Sequence, residues 1–325
     1  MLKSIYRSGR RALKIVKNRA AAAMGCPVVV LVYHRVTNLP FDPQLLAVSP
    51  ENFRDQLNIL KECFPIISIE EDWSAVREPS VAVTFDDGYA DNALEALPIL
   101  EEVGIPATFF VTTGYVGTPG EFWWDELEDI ILAGRSLSSR FQLRDQRYGR
   151  TWPADTIKDR DRLYRELHLL MKKVDAGVRD DWMQQLREWA GKDAGGRASH
   201  RAMSAEELNR LAGNPLVTIG AHTVTHTPMA SQTPDRQRLE IKGSKVRLEG
   251  WLKKEIHFFS YPFGGRSDYT GETVRMVREA GFQKAFSNFS GQWHRWTNPF
   301  QIPRQLVRNW DGDNFRENLK RFWVL

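Results

Sequence analysis

The amino-acid sequence predicts an α/β protein built on a parallel sheet that is either open or closed into a barrel. Runs of apolar and β-branched residues alternate along the chain with segments of helical periodicity, as in proteins whose parallel strands are joined by helices. Several runs are almost continuously apolar, as expected for strands that helices cover on both faces. The predicted strands are 28–33, 66–69, 81–85, 107–112, 216–221, 256–261 and 284–287.

Helix starts between these strands carry recognisable capping residues. The Ser-Pro pair at 49–50 precedes apolar residues at helical spacing, and Ser204 with Glu207 three positions later forms a capping-box pattern. Thr233, followed by proline, is predicted to open a long helix that ends near Lys253. With 325 residues, 42% of them hydrophobic, the chain can bury a sizeable core.

Residues 120–203 interrupt the alternation and are predicted to form a helical insertion. They contain two helical patterns and five tryptophans but no convincing strand. A segment of this length is too long for an ordinary connection in a compact domain. We therefore expect the insertion to cover an active site or to form a small subdomain within a domain that spans residues 25–325.

The basic charge of the chain is concentrated in residues 1–24, which are predicted to form a basic amphipathic N-terminal helix. This segment has seven lysines and arginines and no acidic residue, and its apolar residues recur at three- and four-residue steps. Such a helix can bind the anionic surface of a membrane, or it can pack against the domain that follows it. We expect a cytoplasmic protein, attached peripherally to the inner face of the membrane if the helix binds lipid.

Composition argues against three classes of protein. Removing the seven positive charges of residues 1–24 from the net charge of +4 leaves −3, so the domain provides no basic surface for nucleic acid. No apolar run approaches the roughly 18 to 20 residues that a membrane-spanning helix needs. Cys26 and Cys63 are too few for a disulfide framework, and we expect both thiols to be buried, in a reducing compartment.

Two adjacent carboxylates follow the predicted strand at 81–85. Asp86 and Asp87 would point to opposite faces of a continuing strand, but Gly88 permits a sharp turn after them. Both side chains can then converge on the rim formed by the carboxyl ends of the strands, where active sites of such sheets lie. The alternative is structural, with one aspartate capping the next helix and the other in solvent.

A pair of histidines follows the predicted strand at 216–221. His222 and His226 are separated by three residues, which we interpret as one helical turn. The spacing alone is weak evidence, but the position places two imidazoles at the same rim as the aspartates. Two nitrogen ligands and one carboxylate oxygen suit Zn²⁺ or a similar first-row ion, with a coordination position left for water.

Two further strand ends bring polar or turn-forming residues to this rim. The segment 260–265 (SYPFGG) predicts a turn whose backbone N–H groups could serve as oxyanion donors, and His34 follows the first strand. Taken alone, the segment is only a turn, and a single histidine at a strand end is usually structural. Four strand ends that carry such residues to one rim together indicate a catalytic site.

The sequences TFDDGY, HTVTH and YPFG, in this order, resemble the motifs of polysaccharide deacetylases, the NodB homology domain of carbohydrate esterase family 4. Flanking segments such as YHRV, SPENFRDQLNIL, FWWDEL and IPRQLV resemble the bacterial exopolysaccharide branch of that family. The resemblance extends from residue 28 to about residue 320 and is weakest across 135–203. It implies a distorted (β/α) barrel, usually of seven strands.

The same resemblance implies a metal-dependent hydrolase that removes N-acetyl groups from amino sugars of a polysaccharide, an oligosaccharide or a lipid-linked glycan precursor. Asp86 then corresponds to the general base. Asp87, His222 and His226 correspond to the ligands of a divalent ion, with Zn²⁺ as the first choice and Co²⁺ or Ni²⁺ as alternatives. Phe263, after the proline of the third motif, would donate its backbone N–H to the oxyanion.

Two departures from the family pattern affect the assignment. Many members have an arginine where this chain has Ser260, and we assign its role of orienting the base to Arg304. The late Leu-x-His that carries the general acid is absent, and in a circularly permuted branch the acid comes from the first strand, where His34 stands here. His294 is the competing candidate, and we prefer His34 for its position at the rim.

Other functions remain open on the same fold. The protein could remove O-acetyl groups from an ester or hydrolyse a small-molecule amide, and a free hydroxyl or a free amine in the product distinguishes the two. A further interpretation is a non-catalytic carbohydrate-binding or scaffold protein, although the complete set of two aspartates and two histidines argues against it.

Overall fold

A seven-stranded parallel sheet forms the centre of the fold in the computed structural model, which describes residues 26–133 and 137–324. The helix predicted over residues 1–24 lies outside the described residues. The strands are β1 (Val28–Tyr33), β2 (Arg35–Val36), β3 (Ala47–Val48), β4 (Ser80–Phe85), β5 (Ala107–Val111), β6 (Arg140–Leu143), β7 (Arg150–Pro153), β8 (Val217–Ala221), β9 (Phe258–Ser260), β10 (Lys284–Phe286) and β11 (Gln305–Leu306). The helices are α1 (Pro50–Cys63), α2 (Leu97–Val103), α3 (Trp123–Leu132), α4 (Ile157–Met171), α5 (Ala176–Ala190), α6 (Ala205–Ala212), α7 (Pro234–Leu252), α8 (Gly271–Glu279) and α9 (Gly312–Val324).

The central sheet has the order β10-β9-β8-β5-β4-β1-β11, and all neighbouring strands in it are parallel. The segment that enters β11 brings the two edges of this sheet together. Ser287 N–H donates to the Ile302 carbonyl at 2.8 Å, and Ile302 N–H donates to the Ala285 carbonyl at 2.9 Å. The predicted α/β fold and the distorted barrel of parallel strands are therefore confirmed.

Burial on both faces explains why the strand sequences are nearly continuously apolar. All six residues of β1 have no exposed area. Val29 and Leu31 pack in a cluster with residues of α1 and α2, whereas Val28 and Val30 pack in a separate cluster with side chains of β5, β9 and β10. Successive side chains of a strand point to opposite faces, so one set faces the helices and the other faces the barrel interior.

The prediction of a strand at residues 66–69 is wrong. Ile66 forms only a single bridge with Val81. Beyond it, the Glu71 carboxylate accepts the Ser68 N–H at 2.7 Å, and the Ser68 hydroxyl accepts the Glu70 N–H at 3.2 Å. These local bonds turn the chain away from the sheet. The seventh strand is instead β11, whose two residues are too few for hydrophobic periodicity to reveal.

The prediction that residues 120–203 contain no strand is also wrong. β6 and β7 form an antiparallel hairpin, while α4 and α5 are the two helices that the periodicity predicts. The sequence of β6, RFQL, alternates exposed and buried residues, but it is only four residues long. Phe141, Trp152 and Trp182 are buried together with apolar residues of α3 and α4, so the insertion has a hydrophobic cluster of its own.

Helix starts coincide with the capping residues read from the sequence. The Ser49 hydroxyl accepts a backbone N–H at the start of α1, Ser204 forms a complete capping box at α6, and Thr233 caps α7.

The expectation that both cysteines are buried is wrong, because Cys63, the last residue of α1, is exposed and Cys26 is half-buried. No helix within the described ranges has the length and apolarity needed to cross a membrane.

Candidate active site

The carboxylates that follow β4 lie side by side at the rim. Asp87 and Gly88 have φ angles of +74° and +88°, so two left-handed residues in succession turn the chain out of the strand. A Cβ at Gly88 would also lie 3.1 Å from Val111. Asp86 N–H still donates to the Tyr33 carbonyl of β1 at 3.0 Å. Both carboxylates are buried and line the same cavity, as the turn at Gly88 predicts.

The two histidines lie on a loop, residues 222–226, so the interpretation of their spacing as a helical turn is wrong. Thr223 and His226 have φ angles of +66° and +52°, which residues other than glycine rarely adopt. Thr223 Oγ1 accepts the His226 N–H at 3.1 Å. The buried Glu240 carboxylate accepts the N–H groups of Val224 and Thr225 at 2.9 and 2.8 Å. These bonds hold the strained histidine loop with both rings facing the rim.

One carboxylate and two imidazoles converge in a buried cluster. The Nε2 atoms of His226 and His222 lie 3.2 and 3.5 Å from Asp87 Oδ1. One ligand atom from each residue lies within 4.8 Å of the others. Asp87 Oδ1 is buried and accepts no well-aligned hydrogen bond within the described residues. A buried anionic oxygen that faces two imidazole nitrogens fits a cation bound between them.

The surroundings shift the pKa of each of the three possible ligands, and the shifts of His226 and Asp87 favour the forms that bind a metal. Burial lowers the pKa of His226 to about 4, so its ring is neutral at pH 7. Burial would raise the pKa of Asp87, but His226 and His222 lower it well below its ordinary value. Burial would lower the pKa of His222, but Asp86 and Asp87 raise it above its ordinary value, and Nε2 of this ring must be unprotonated to bind a cation.

The orientation of His222 is set by a backbone carbonyl. Its Nδ1 lies 2.8 Å from the Ser260 carbonyl oxygen, and because a carbonyl only accepts, Nδ1 carries the proton. The Nε2 atom is therefore the one that faces Asp87. Metal-binding histidines commonly have their second nitrogen fixed in this way.

A buried arginine holds Asp86. The Nη1 and Nη2 atoms of Arg304 donate to the two carboxylate oxygens of Asp86 at 2.8 and 2.5 Å. Nη2 also donates to the hydroxyl of Ser260 at 2.8 Å, so the serine that stands at the position of the missing arginine contacts Arg304 itself. Burial would raise the pKa of Asp86, but Arg304 and His222 bring it below its ordinary value. Asp86 is therefore an ionised carboxylate in a fixed orientation.

Replacing Arg304 by glutamine is expected to destabilise the fold strongly. Asp86 would remain buried without its cationic partner, and breaking a buried ion pair from one side typically costs about 3 to 5 kcal/mol. Urea denaturation would measure the loss in the free energy of unfolding. Arg316→Gln is the matched control, because the ion pair of Arg316 with Glu62 is exposed and its loss should have little effect. Equal unfolding midpoints for Arg304→Gln and the unmodified protein would contradict this prediction.

His34 follows β1 and lines the same cavity as Asp86, with a volume of about 190 Å³. The side chain of Asn92 donates to the His34 carbonyl at 2.9 Å and so fixes the backbone. His34 Nδ1 makes no hydrogen bond in the part of the chain that the structure describes. Burial lowers the pKa of His34, although Asp87 and Asp86 oppose the shift, so the ring is neutral near pH 7 and can take up a proton.

The competing histidine, His294, lies at the other end of β1. Its neighbour Trp293 forms a bridge with Val28, the first residue of the strand, whereas His34 follows the last. The six residues of β1, at about 3.3 Å each, separate the two positions. The His294 ring stacks on Trp296, with centroids 4.9 Å apart. His34, and not His294, lines the cavity with the aspartates.

The turn after β9 has a strained backbone beside the cavity. Phe263 and Gly264 have φ angles of +59° and +63°. Gly264 N–H donates to the Pro262 carbonyl at 2.7 Å, and Asn288 N–H donates to the Gly264 carbonyl at 2.8 Å. These bonds fix the turn without using the N–H of Phe263. The Phe263 ring contacts the ring of His226, with centroids 4.8 Å apart, so the turn lies next to the cluster of possible metal ligands.

Comparison with known proteins assigns the chain to a family. The sequence model described as polysaccharide deacetylase matches residues 74–140 and 186–285, just over half of the chain. The chain belongs to the polysaccharide deacetylase family. The poly-β-1,6-N-acetyl-D-glucosamine N-deacetylase of Escherichia coli K12 is 23% identical over 293 residues, which cover 86% of this chain and 36% of that protein. The chain thus spans about a third of the length of the first curated relatives it matches.

Solved structures of deacetylases share the fold. The Streptococcus pyogenes deacetylase PplD has a TM-score of 0.59 and 17% identity, with 90% of this chain and 98% of that chain covered. IcaB from Ammonifex degensii has a TM-score of 0.56 and 20% identity, with 92% of this chain and 97% of that chain covered. At this level of identity the likeness establishes the fold.

Six residues that line the cavity of this family member are not among the predicted site residues: Gln44, Leu46, Trp124, Lys172, Asn288 and Leu306. The Trp124 ring packs on His226 with centroids 4.5 Å apart, and the ammonium of Lys172 lies 4.1 Å from the centre of the Phe263 ring. The Trp-Trp pair at 123–124 is a visible signal in the sequence. No motif marks Lys172, which follows α4 and reaches the cavity only because the insertion folds over the rim.

Proposed function

We propose that this protein is a metal-dependent hydrolase that removes N-acetyl groups from amino sugars of a polysaccharide, an oligosaccharide or a lipid-linked glycan precursor. The observation that carries the proposal is the convergence of Asp87, His222 and His226 beside the buried carboxylate of Asp86. Membership of the polysaccharide deacetylase family and the N-deacetylase name of the Escherichia coli relative support it.

Asp87, His222 and His226 would hold one divalent ion. Two imidazoles and one carboxylate are a donor set that Zn²⁺ accepts readily, and Co²⁺ and Ni²⁺ are the alternatives. When bound, such an ion polarises an acetyl carbonyl and lowers the pKa of water, which supplies several kcal/mol of transition-state stabilisation.

Asp86 would act as the general base. The bidentate contact with Arg304 keeps this carboxylate ionised. Oδ2 also accepts from the Ser260 hydroxyl at 3.2 Å, so Oδ1 keeps the lone pair that can accept a proton from the attacking water. Arg304 and Ser260 would thus be positioning residues that aim the base and do not themselves contact the reacting atoms.

The remaining two groups would act on the two ends of the bond that breaks. As the C–O bond forms, the backbone N–H of Phe263 would donate to the carbonyl oxygen, which becomes an oxyanion. As the C–N bond breaks, the nitrogen needs a proton, because an amine is too basic to leave as an anion. His34, which is neutral near pH 7, would take up the proton that Asp86 removed from water and give it to this nitrogen. The products are acetate and a free amino sugar.

Product analysis tests this proposal. The purified protein with added Zn²⁺ is offered acetylated amino-sugar oligosaccharides, lipid-linked acetylated sugars and O-acetylated sugars, and the released acetate, amine and hydroxyl are quantified. We expect acetate and free amine in equal amounts. Free hydroxyl without amine would make the protein an O-acetyl esterase, and release of acetate from no substrate would favour a non-catalytic carbohydrate-binding protein.

His34→Ala is expected to lower kcat for N-acetyl substrates by about 10² to 10⁴ and to have a smaller effect on activated esters. A phenolate of low basicity leaves without protonation, whereas an amine does not. Steady-state rates with an N-acetylated sugar and with an aryl acetate measure both effects. His294→Ala is the control, and a selective loss in that variant alone would assign the general acid to His294.

We propose that residues 1–24 attach the protein peripherally to the inner face of a membrane, near lipid-linked sugars. The segment has seven positive charges, each contributing about 1 kcal/mol close to an anionic surface. Anionic vesicles should co-sediment the full chain at low salt but not a chain that starts at Gly25, and salt should weaken the binding. Equal, negligible binding of both chains would contradict the proposal.

A further inference from the structure

The turn at residues 261–265, which we call the oxyanion turn, is tied to the insertion by one lysine. Lys172 follows α4, and its ammonium lies 2.9 Å from Asp268 Oδ1 and 4.1 Å from the centre of the Phe263 ring. The two charged side chains are only 26% and 12% exposed, so water and salt screen the pair weakly. An aromatic face also attracts a cation at this distance. Lys172 therefore contacts the turn through two different interactions.

Asp268 carries the contact with the lysine to the other side of the same turn. Its Oδ2 accepts the Gly265 N–H at 2.9 Å, while its Oδ1 faces Lys172. Its carbonyl oxygen accepts the Ala230 N–H at 2.9 Å, which fixes the backbone of Asp268. Phe263 and Gly265 are therefore both linked to Lys172, the first through its ring and the second through one carboxylate.

The backbone of the oxyanion turn has a conformation that needs such contacts. Phe263 has a φ angle of +59°, which residues with a side chain rarely adopt. A strained angle of this kind persists only while the surrounding structure fixes it. The direction of the Phe263 N–H follows from the orientation of the planar peptide that joins it to Pro262. If the contacts at the Phe263 ring and at Gly265 were lost, this plane could rotate and the N–H would no longer point to one place.

Lys172 lines the active-site cavity, yet its charge already has partners there. The ammonium faces the Asp268 carboxylate and the Phe263 ring. A lysine that served to bind an anionic substrate would keep its charge free for that ligand. These contacts favour a role in holding the turn over a role in binding an anion.

We infer that Lys172 is a positioning residue that aims the oxyanion turn, acting through Asp268 and through the ring of Phe263. The inference rests on the proposed function, in which the Phe263 N–H donates to the oxyanion. Lys172 lies between the two segments that match the family, 74–140 and 186–285. The insertion of this chain therefore contributes to the active site a support that the matched segments do not contain.

Steady-state kinetics of Lys172→Met test the inference. Methionine keeps an unbranched apolar side chain of similar length but has no charge. Removing an oxyanion donor typically lowers kcat by about 10² to 10³, and this variant keeps the donor but no longer aims it. We therefore expect kcat for an N-acetylated sugar to fall by about 10-fold to 50-fold, with KM changed by less than about twofold. Lys172→Arg should recover most of the loss, because a guanidinium also pairs with a carboxylate and packs over an aromatic ring.

Two further variants make the kinetic result specific. Because Lys172 and Asp268 are proposed to act as a unit, the double variant Lys172→Met/Asp268→Asn should lose about as much kcat as the worse single variant. Arg187→Met is the matched control, because the ion pair of Arg187 with Glu126 is also in the insertion and is similarly buried, at 22% and 12% exposed. This control should lower the free energy of unfolding but leave kcat unchanged.

Hydrogen exchange gives a measurement that does not need turnover. The Gly265 amide should exchange faster in Lys172→Met than in Arg187→Met and the unmodified protein. Faster exchange without acetate release by any of the proteins would refute the proposed function and retain Lys172 as a support of the turn. Unchanged exchange at Gly265, equal kcat in Lys172→Met and Arg187→Met, or a rise in KM alone would overturn the inference. Loss of the bound ion in Lys172→Met, measured by elemental analysis, would place the effect at His226 and would also overturn it.

Discussion

Asp86→Asn is expected to retain its metal ion and to lose about 10² to 10⁴ in kcat for deacetylation. The amide of asparagine cannot accept the proton of the attacking water. It has nearly the size of the carboxylate, but Arg304 loses its buried anionic partner, so the variant should also be less stable and is assayed at a temperature at which circular dichroism shows it to be folded. Acetate release with one N-acetylated sugar gives kcat, and elemental analysis of the same preparation gives the metal content.

Two comparisons make this result specific to the base. Asp87→Asn should lose metal and activity together, because it changes a ligand. Asp193→Asn, an exposed aspartate after α5, should change neither. A near-normal kcat in Asp86→Asn would assign the role of base to another group.

The meeting of the motifs at one rim could be predicted because it follows from the topology of a parallel sheet. Residues that directly follow parallel strands lie at the same end of the sheet, whatever their separation in sequence. His34, Asp86, His222 and the turn at Phe263 each follow such a strand. The strand assignment was therefore sufficient to predict that these residues lie close together.

The local conformation of the histidine loop could not be predicted, because it depends on a distant residue. His222 and His226 have the spacing of a helical turn, but Glu240 of α7 accepts the N–H groups of Val224 and Thr225. These bonds, together with the left-handed φ angles of Thr223 and His226, hold the segment as a loop. Spacing alone does not reveal such contacts.

The contact of Arg304 with Asp86 across the barrel likewise cannot be derived from local sequence patterns. It lies 218 residues from Asp86 in sequence, and it reaches that carboxylate because β11 pairs with β1, which pairs with β4. β11 has only two residues, so no hydrophobic period marks it as a strand. The resemblance suggested a substitute for the arginine missing at Ser260, but only the sheet order explains how Arg304 can serve as one.

Purified protein is expected to hold about one equivalent of a divalent ion, and His226→Ala is expected to hold much less. Removing an outer partner of a metal ligand typically costs about 10- to 100-fold in affinity, and removing a ligand should cost more. His226 supplies one of three buried ligand atoms, and its Nε2 lies 3.2 Å from Asp87 Oδ1. Elemental analysis measures the content, and titration with Zn²⁺ measures the affinity.

Stability gives a second measurement of the same site that does not depend on activity. An ion present at about 100 times its Kd raises the free energy of unfolding by about 2.7 kcal/mol, so a chelator should lower the Tm of the unmodified protein. His257→Ala is the matched control, because His257 lies just before β9 at the other end of the strand and pairs only with the exposed Glu255 among the acidic residues described. That variant should keep both the ion and the chelator-sensitive Tm, whereas His226→Ala should lose both. Equal metal content in His226→Ala and His257→Ala would mean that the ion binds elsewhere, and the buried oxygen of Asp87 would then need another partner.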